Sequence, residues 1–86
     1  MEYLIVAFRS RSSTVKFYEF LRKNNILSEI VNTPKEAGVG CGLSVKLNKN
    51  LSGIAKKAVK VSNISSFAGV FLVKMFSGKV VVRSIW

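Results

Sequence analysis

The chain contains no histidine and only one cysteine, one proline and four carboxylates among its 86 residues. Without histidine there is no imidazole base, so the usual activation of a serine or cysteine nucleophile is excluded. A lone cysteine closes no internal disulfide, and without histidine beside it there is no thiolate–imidazole metal site. Glu2, Glu19, Glu29 and Glu36 are scattered along the chain, which argues against a hard-cation cage. No metal or cofactor is expected, and an enzyme is not. A free thiol suits a reducing compartment, so the expected location is cytoplasmic. Long apolar runs are missing too. Tyr3–Phe8 is too short for a secretory h-region and follows an acid, and Ala68–Phe76 is broken by Lys74; no membrane association is expected.

What is present is positive charge. The formal net charge is +10, and its distribution is uneven. Residues 1–36 hold six basic and four acidic side chains, a net +2, whereas residues 37–86 hold eight basic and no acidic ones, a net +8. An anionic partner surface fits this balance, and so does a solvated basic face.

Half of the composition is apolar (49%), enough for one small globular domain spanning residues 1–86. Tyr3–Phe8 reads as a buried strand. Ser10, Ser12, Ser13 and Thr14 are N-cap types, and Val15, Phe17, Tyr18 and Leu21 recur at helical spacing until Lys23–Asn25. Ile26–Val31 reads as a second strand. Leu43, Val45 and Leu47 alternate with Ser44, Lys46 and Asn48, the pattern of a half-buried strand. Asn48 or Asn50 caps a second helix with the stripe Leu51, Ile54, Ala55, Ala58 and Val61. Gly69–Phe76 and Lys79–Ile85 are strands joined by the hairpin signal Ser77-Gly78. The predicted fold is α+β: a ferredoxin-like βαββαβ sandwich, an antiparallel sheet with two helices on one face, plus an extra C-terminal strand in the extension 74–86.

The single thiol lies in the most glycine-rich stretch, Thr33–Leu47 (TPKEAGVGCGLSVKL). Pro34 biases Thr33 toward an extended conformation and ends the second strand there. Gly38, Gly40 and Gly42 relax the backbone around Cys41. Two readings stand at this point. Strand parity puts position 41 with Leu43 and Val45, which would make Cys41 a core cap. Alternatively the thiol is accessible, with its pKa lowered by Lys35 and Lys46. The glycines are not a dinucleotide fingerprint, because position 43 is leucine and no helix opens there.

Phe8–Ile26 (FRSRSSTVKFYEFLRKNNI), followed by Thr33–Leu47, resembles the small selenium/sulfur carrier-like protein family of bacteria. The matching residues are Phe8 and Ser10, then Thr33, Pro34, Lys35 and Glu36, then the pair Cys41 and Gly42, then the basic Lys46. The likeness runs over roughly residues 3–73. Gly38, Val39 and Gly40 depart from it, since small polar residues are more usual before the cysteine. The resemblance implies a carrier that holds a persulfide or selenopersulfide on Cys41. A desulfurase-like donor protein would load it and an acceptor protein would unload it. Lys35 and Lys46 would favour the anion, and Thr33 or the N–H groups of Gly40 and Gly42 would hydrogen-bond it.

Two other classes compete. A basic ferredoxin-like domain can bind nucleic acid, and Ala68–Phe76 has the glycine and aromatics of an RNA-binding strand. Yet Val70 and Leu72 occupy the stacking positions, and the segment follows the second helix, so nucleic-acid binding is expected to be weak at most. The other class is a structural or assembly domain. Phe71, Phe76, Ile85 and Trp86 exceed what a small core hides, which predicts a homodimer through the C-terminal hairpin, residues 70–86.

Overall fold

A computed structural model describes residues 1–40 and 42–86. The described residues form β1 (Glu2–Phe8), α1 (Arg11–Lys23), β2 (Glu29–Asn32), β3 (Leu43–Asn48), α2 (Ser52–Ser62), β4 (Phe67–Phe76) and β5 (Lys79–Ser84). A 3-10 turn, Lys35–Ala37, precedes β3, and another, Lys49–Leu51, leads into α2. The sheet order is β2-β3-β1-β4-β5, with every neighbouring pair antiparallel. The fold is α+β. From β1, α1 carries the chain across β3 to β2; from β3, α2 carries it across β1 to β4.

The continuous apolar run of β1 explains its central place, because both of its faces are buried. Leu4, Val6 and Phe8 meet Phe17 and Leu21 of α1, Val45 and Leu47 of β3, Ala55 and Ala58 of α2, and Val70 of β4. Both helices thus cover one face. The alternate residues Ile5 and Ala7, with Ser44 and Val73 on the flanking strands, point the other way and are equally inaccessible. No helix lies there. The 3-10 turn Lys35–Ala37 instead packs against β5, so the β2–β3 connection crosses this second face and covers it.

Local signals account for the ends of the elements. Ser10 caps α1, its Oγ accepting from the Ser13 amide at 3.2 Å. Arg22 and Lys23 occupy the last turn, where cations oppose the helix dipole. Asn48 accepts from the Asn50 amide at 2.9 Å and starts the 3-10 turn before α2. Ser77 and Gly78 both have positive φ (49° and 75°), which gives the hairpin its right-handed twist. Glu2 binds Lys49 and Lys74 at 3.1 and 3.3 Å, and these hydrogen-bonded ammonium groups hold its carboxyl below the ordinary 4.5.

Several sequence expectations need correction. The second strand is Glu29–Asn32, not Ile26–Val31. Asn25 adopts a left-handed φ of 59°, and Ile26 donates its N–H back to Leu21 and packs on the core. Ser44 is not a solvent-facing member of β3 but fully buried. In α2, Ala55 and Ala58 make the close contact, flanked by Leu51 and Val59, while Ile54 and Val61 are 45% and 63% exposed. The final strand is also better covered than its sequence implies. Ile85 packs on the core, the Trp86 ring lies 5.5 Å from Phe67, and the 3-10 turn Lys35–Ala37 lies against β5. The turn end of the hairpin keeps Met75, Phe76 and Val81 exposed, and at the other end Trp86 stays partly open despite its contact with Phe67.

Gly69 lies in β4 beside Val70, whose backbone exchanges hydrogen bonds with Trp86. Its φ is +155°, and a Cβ there would stand 3.1 Å from Phe71 Cζ and 3.3 Å from the Trp86 carbonyl oxygen. Gly69→Ala is therefore expected to lower stability by about 1–3 kcal/mol. Urea denaturation checks it; an unchanged midpoint would show that the strand relaxes without strain.

Candidate functional site

The conspicuous loop of the sequence is built as a closed-neck excursion between β2 and β3. Asn32 pairs with Leu43. One step further, the Thr33 amide donates to the Gly42 carbonyl at 2.8 Å. The Thr33 hydroxyl is 2.6 Å from the buried Ser44 hydroxyl, a second tie across the neck. Pro34 (φ −60°, ψ 140°) opens the 3-10 turn, in which Ala37 and Gly38 donate to the carbonyls of Pro34 and Lys35. Gly38 ends the turn at φ 67°, a conformation that favours glycine. Gly40 and Gly42 have no positive φ, and a Cβ at either would meet nothing within 4 Å. Cys41, on which both readings of the thiol fall, lies outside the described residues.

The structure distributes the expected site residues unevenly. Thr33, Pro34, Lys35, Glu36, Gly40 and Gly42 all belong to this excursion, with Lys35 and Glu36 exposed on it. The Thr33 hydroxyl is committed to Ser44. Lys46 stands apart. It lies four residues beyond Gly42 along β3, roughly 13 Å at strand spacing. There its ammonium pairs with Glu29 at 3.3 Å and sits 4.6 Å from the Tyr3 ring centroid. Lys46 thus fixes the far end of β3 instead of serving the loop.

What does meet the loop's return is the first turn of α1. Thr14 is fully buried, and its Oγ1 lies 3.1 Å from the Ser10 carbonyl and 3.4 Å from the Leu43 carbonyl. Leu43 is two residues after the cysteine. Around this tie, Ser10, Ser13 and Ser66 share hydroxyl hydrogen bonds of 2.8 to 3.3 Å. The first turn of α1 holds no carboxylate, and Arg9 and Arg11 beside it are exposed. The loop's return therefore adjoins the positive end of a 13-residue helix, an electrostatic setting that favours anions. Sequence reading identified Ser13 and Thr14 only as caps, and Ser10 as a cap and a residue of the family resemblance. It missed Ser66 altogether, because nothing local links residues 53 positions apart.

A surface groove lined by Tyr3, Leu27, Ser28, Leu47 and Leu51 among others opens around the start of β1 and the end of β3. That is the opposite end of the sheet from Gly42, so the groove does not belong to this site. Among the described residues no three of His, Cys, Asp and Glu gather to hold a metal ion. No described helix is long and apolar enough to cross a membrane.

Residues 3–67 match the family model described as "Putative Se/S carrier protein-like". The chain belongs to that selenium/sulfur carrier-like family. The match takes in β1 to α2, including the whole excursion and the first turn of α1, and ends as β4 begins. Comparison with curated proteins and with solved structures finds no match. Within this carrier-like chain the Thr14 tie is open to a direct test. Thr14→Val keeps the shape and removes the hydroxyl, leaving the hydrogen bonds to Ser10 and Leu43 unmade. A loss of about 1–2 kcal/mol is expected, together with faster hydrogen exchange at the Thr33 amide that closes the neck. Exchange at Thr33 no faster than in the unaltered protein would show that the neck holds without Thr14.

Proposed function

We propose that the protein is a cytoplasmic carrier that holds sulfur or selenium on Cys41 as a persulfide or selenopersulfide. It receives the atom from a donor protein of the desulfurase type and passes it to an acceptor protein. The observation that carries this reading is the family match, which spans the segment bearing the only thiol. In the loading step the Cys41 thiolate attacks the outer sulfur of a persulfide on the donor. A new S–S bond forms as the donor's S–S bond breaks, and the donor cysteine leaves as a thiolate. Neither an oxidant nor a reductant is consumed, and the protein acts as a carrier rather than an enzyme. With selenium, the corresponding attack makes an S–Se bond.

Two anionic sulfur centres must approach one another in that step, so a positive setting favours it. The N-terminus of α1, Arg9, Arg11 and Lys35 supply such a setting at or near the excursion. Its closed neck supports a loop that presents one thiol to another protein's active site. The strand order β2-β3-β1-β4, with each helix crossing one intervening strand, supports a ferredoxin-like domain to which β5 is added.

Intact-mass measurement after incubation with a cysteine desulfurase and L-cysteine or L-selenocysteine tests the chemistry. A reductant-labile gain of about 32 Da or about 79 Da is expected, and it should vanish in Cys41→Ser while the fold persists. A labile adduct retained by Cys41→Ser, or none on the unaltered protein, would overturn the carrier reading.

The same proposal includes a homodimer through the hairpin, supported by the exposed apolar side chains of Met75, Phe76 and Val81 beside the free edge of β5. Burying each is worth about 1.5–3 kcal/mol. Sedimentation equilibrium should show a dimer at micromolar concentration that dissociates in Phe76→Lys/Val81→Lys. A monomer at high micromolar concentration would refute it.

A further inference from the structure

Helix α2 presents an outward face that the core does not use. Ile54, Lys57 and Val61 follow i, i+3, i+7 spacing and form one row. Ile54 and Val61 are 45% and 63% exposed. Lys60 flanks the row, with its ammonium 5.6 Å from the centroid of the Trp86 ring, itself 41% exposed. The helix carries Lys56, Lys57 and Lys60 and no acidic residue, and none of the three pairs with a carboxylate among the described residues. The scarcity of acids is general. Glu2 and Glu29 are already engaged by lysines, and residues 37–86 contain no acid.

The position of this face gives it meaning. α2 starts after the end of β3 far from the loop and runs back toward β4. Its C-terminal half therefore lies at the loop end of the sheet. Just beyond α2, Ser66 hydrogen-bonds Ser10 and Ser13 at the N-terminus of α1, and Thr14 there reaches Leu43. A macromolecule seated on Lys57, Lys60 and Val61 would sit at the end of the sheet where the thiol-bearing excursion returns.

We infer that this face of α2 is the docking surface for the protein that loads Cys41, and that the partner offers an acidic rim around an apolar centre. The inference rests on the carrier reading. Unpaired lysines select an acidic surface and steer its approach. Two exposed aliphatic side chains in the same row, with an aromatic at its edge, suit the desolvated centre of a protein interface. A nucleic acid is the poorer occupant: Ile54 and Val61 can neither neutralise a phosphate nor stack on a base.

The test compares two persulfide donors on the unaltered protein and on Lys57→Glu/Lys60→Glu and Ile54→Asp. One donor is the cysteine desulfurase of the source organism with L-cysteine, which requires docking. The other is glutathione persulfide, which does not. Each variant should raise the carrier concentration for half-maximal loading by the desulfurase at least about tenfold. Loading by glutathione persulfide should stay unchanged, as should the circular dichroism. If glutathione persulfide loads Cys41 but desulfurase loading does not depend on the α2 residues, the docking proposal alone falls. If neither donor loads the unaltered protein, the carrier reading falls and takes the docking proposal with it. A third arm measures binding of a fluorescein-labelled 20-nucleotide single-stranded RNA (about two site sizes of a typical binding fold). Submicromolar binding that the charge reversal abolishes, with desulfurase loading unmoved, would assign the face to nucleic acid and overturn the inference.

Discussion

The burial of β1 on both faces is the constraint from which the rest of the architecture follows. A strand reading Leu4-Ile5-Val6-Ala7-Phe8 cannot show either side to water without exposing several large apolar groups. The helices provide one cover. The other has to come from whatever remains of a small chain, and the 3-10 turn Lys35–Ala37 of the β2–β3 connection, which packs against β5, is the described part that supplies it.

The excursion is held at its neck. Hydrogen bonds from the Thr33 amide and between the hydroxyls of Thr33 and Ser44 close the excursion, and Thr14 fastens its return to α1. Between these ties lie the 3-10 turn and the glycines. Only Gly38 is demanded by its own backbone angle. Gly40 and Gly42 occupy open space in ordinary conformations, so any need for glycine there arises from an encounter with another molecule or from the freedom to move.

Much of the architecture was legible in the sequence because the signals were local. The apolar run of β1, the Ser10 cap, the alternation of β3 and the Ser77-Gly78 turn each depend on neighbours within a few residues. The α+β class, with an antiparallel sheet and two helices, followed from them, and the family was legible in the sequence as well. What failed depended on distant partners. Ser44 reads as polar and solvent-facing, yet it is buried because Thr33 pairs with it across the neck. The partners of Lys46, Glu29 and Tyr3, were likewise not legible, because both lie far from it in sequence. Ile54 and Val61 fit a core stripe by periodicity. The two alanines next to them allow a closer approach, and the helix turns them outward.

The sheet order also governs when the molecule can fold. β1 is made first but lies between β3 and β4, and its register with β4 pairs residues as far apart as Tyr3 and Val73. Its second neighbour does not exist until most of the chain has been synthesised. During translation the most hydrophobic strand of the protein therefore waits with one edge open, and the final collapse is a non-local, slow step of the kind that high contact order imposes. Until Val70 and Val73 arrive, the β4-facing edge of β1 has no partner within the chain.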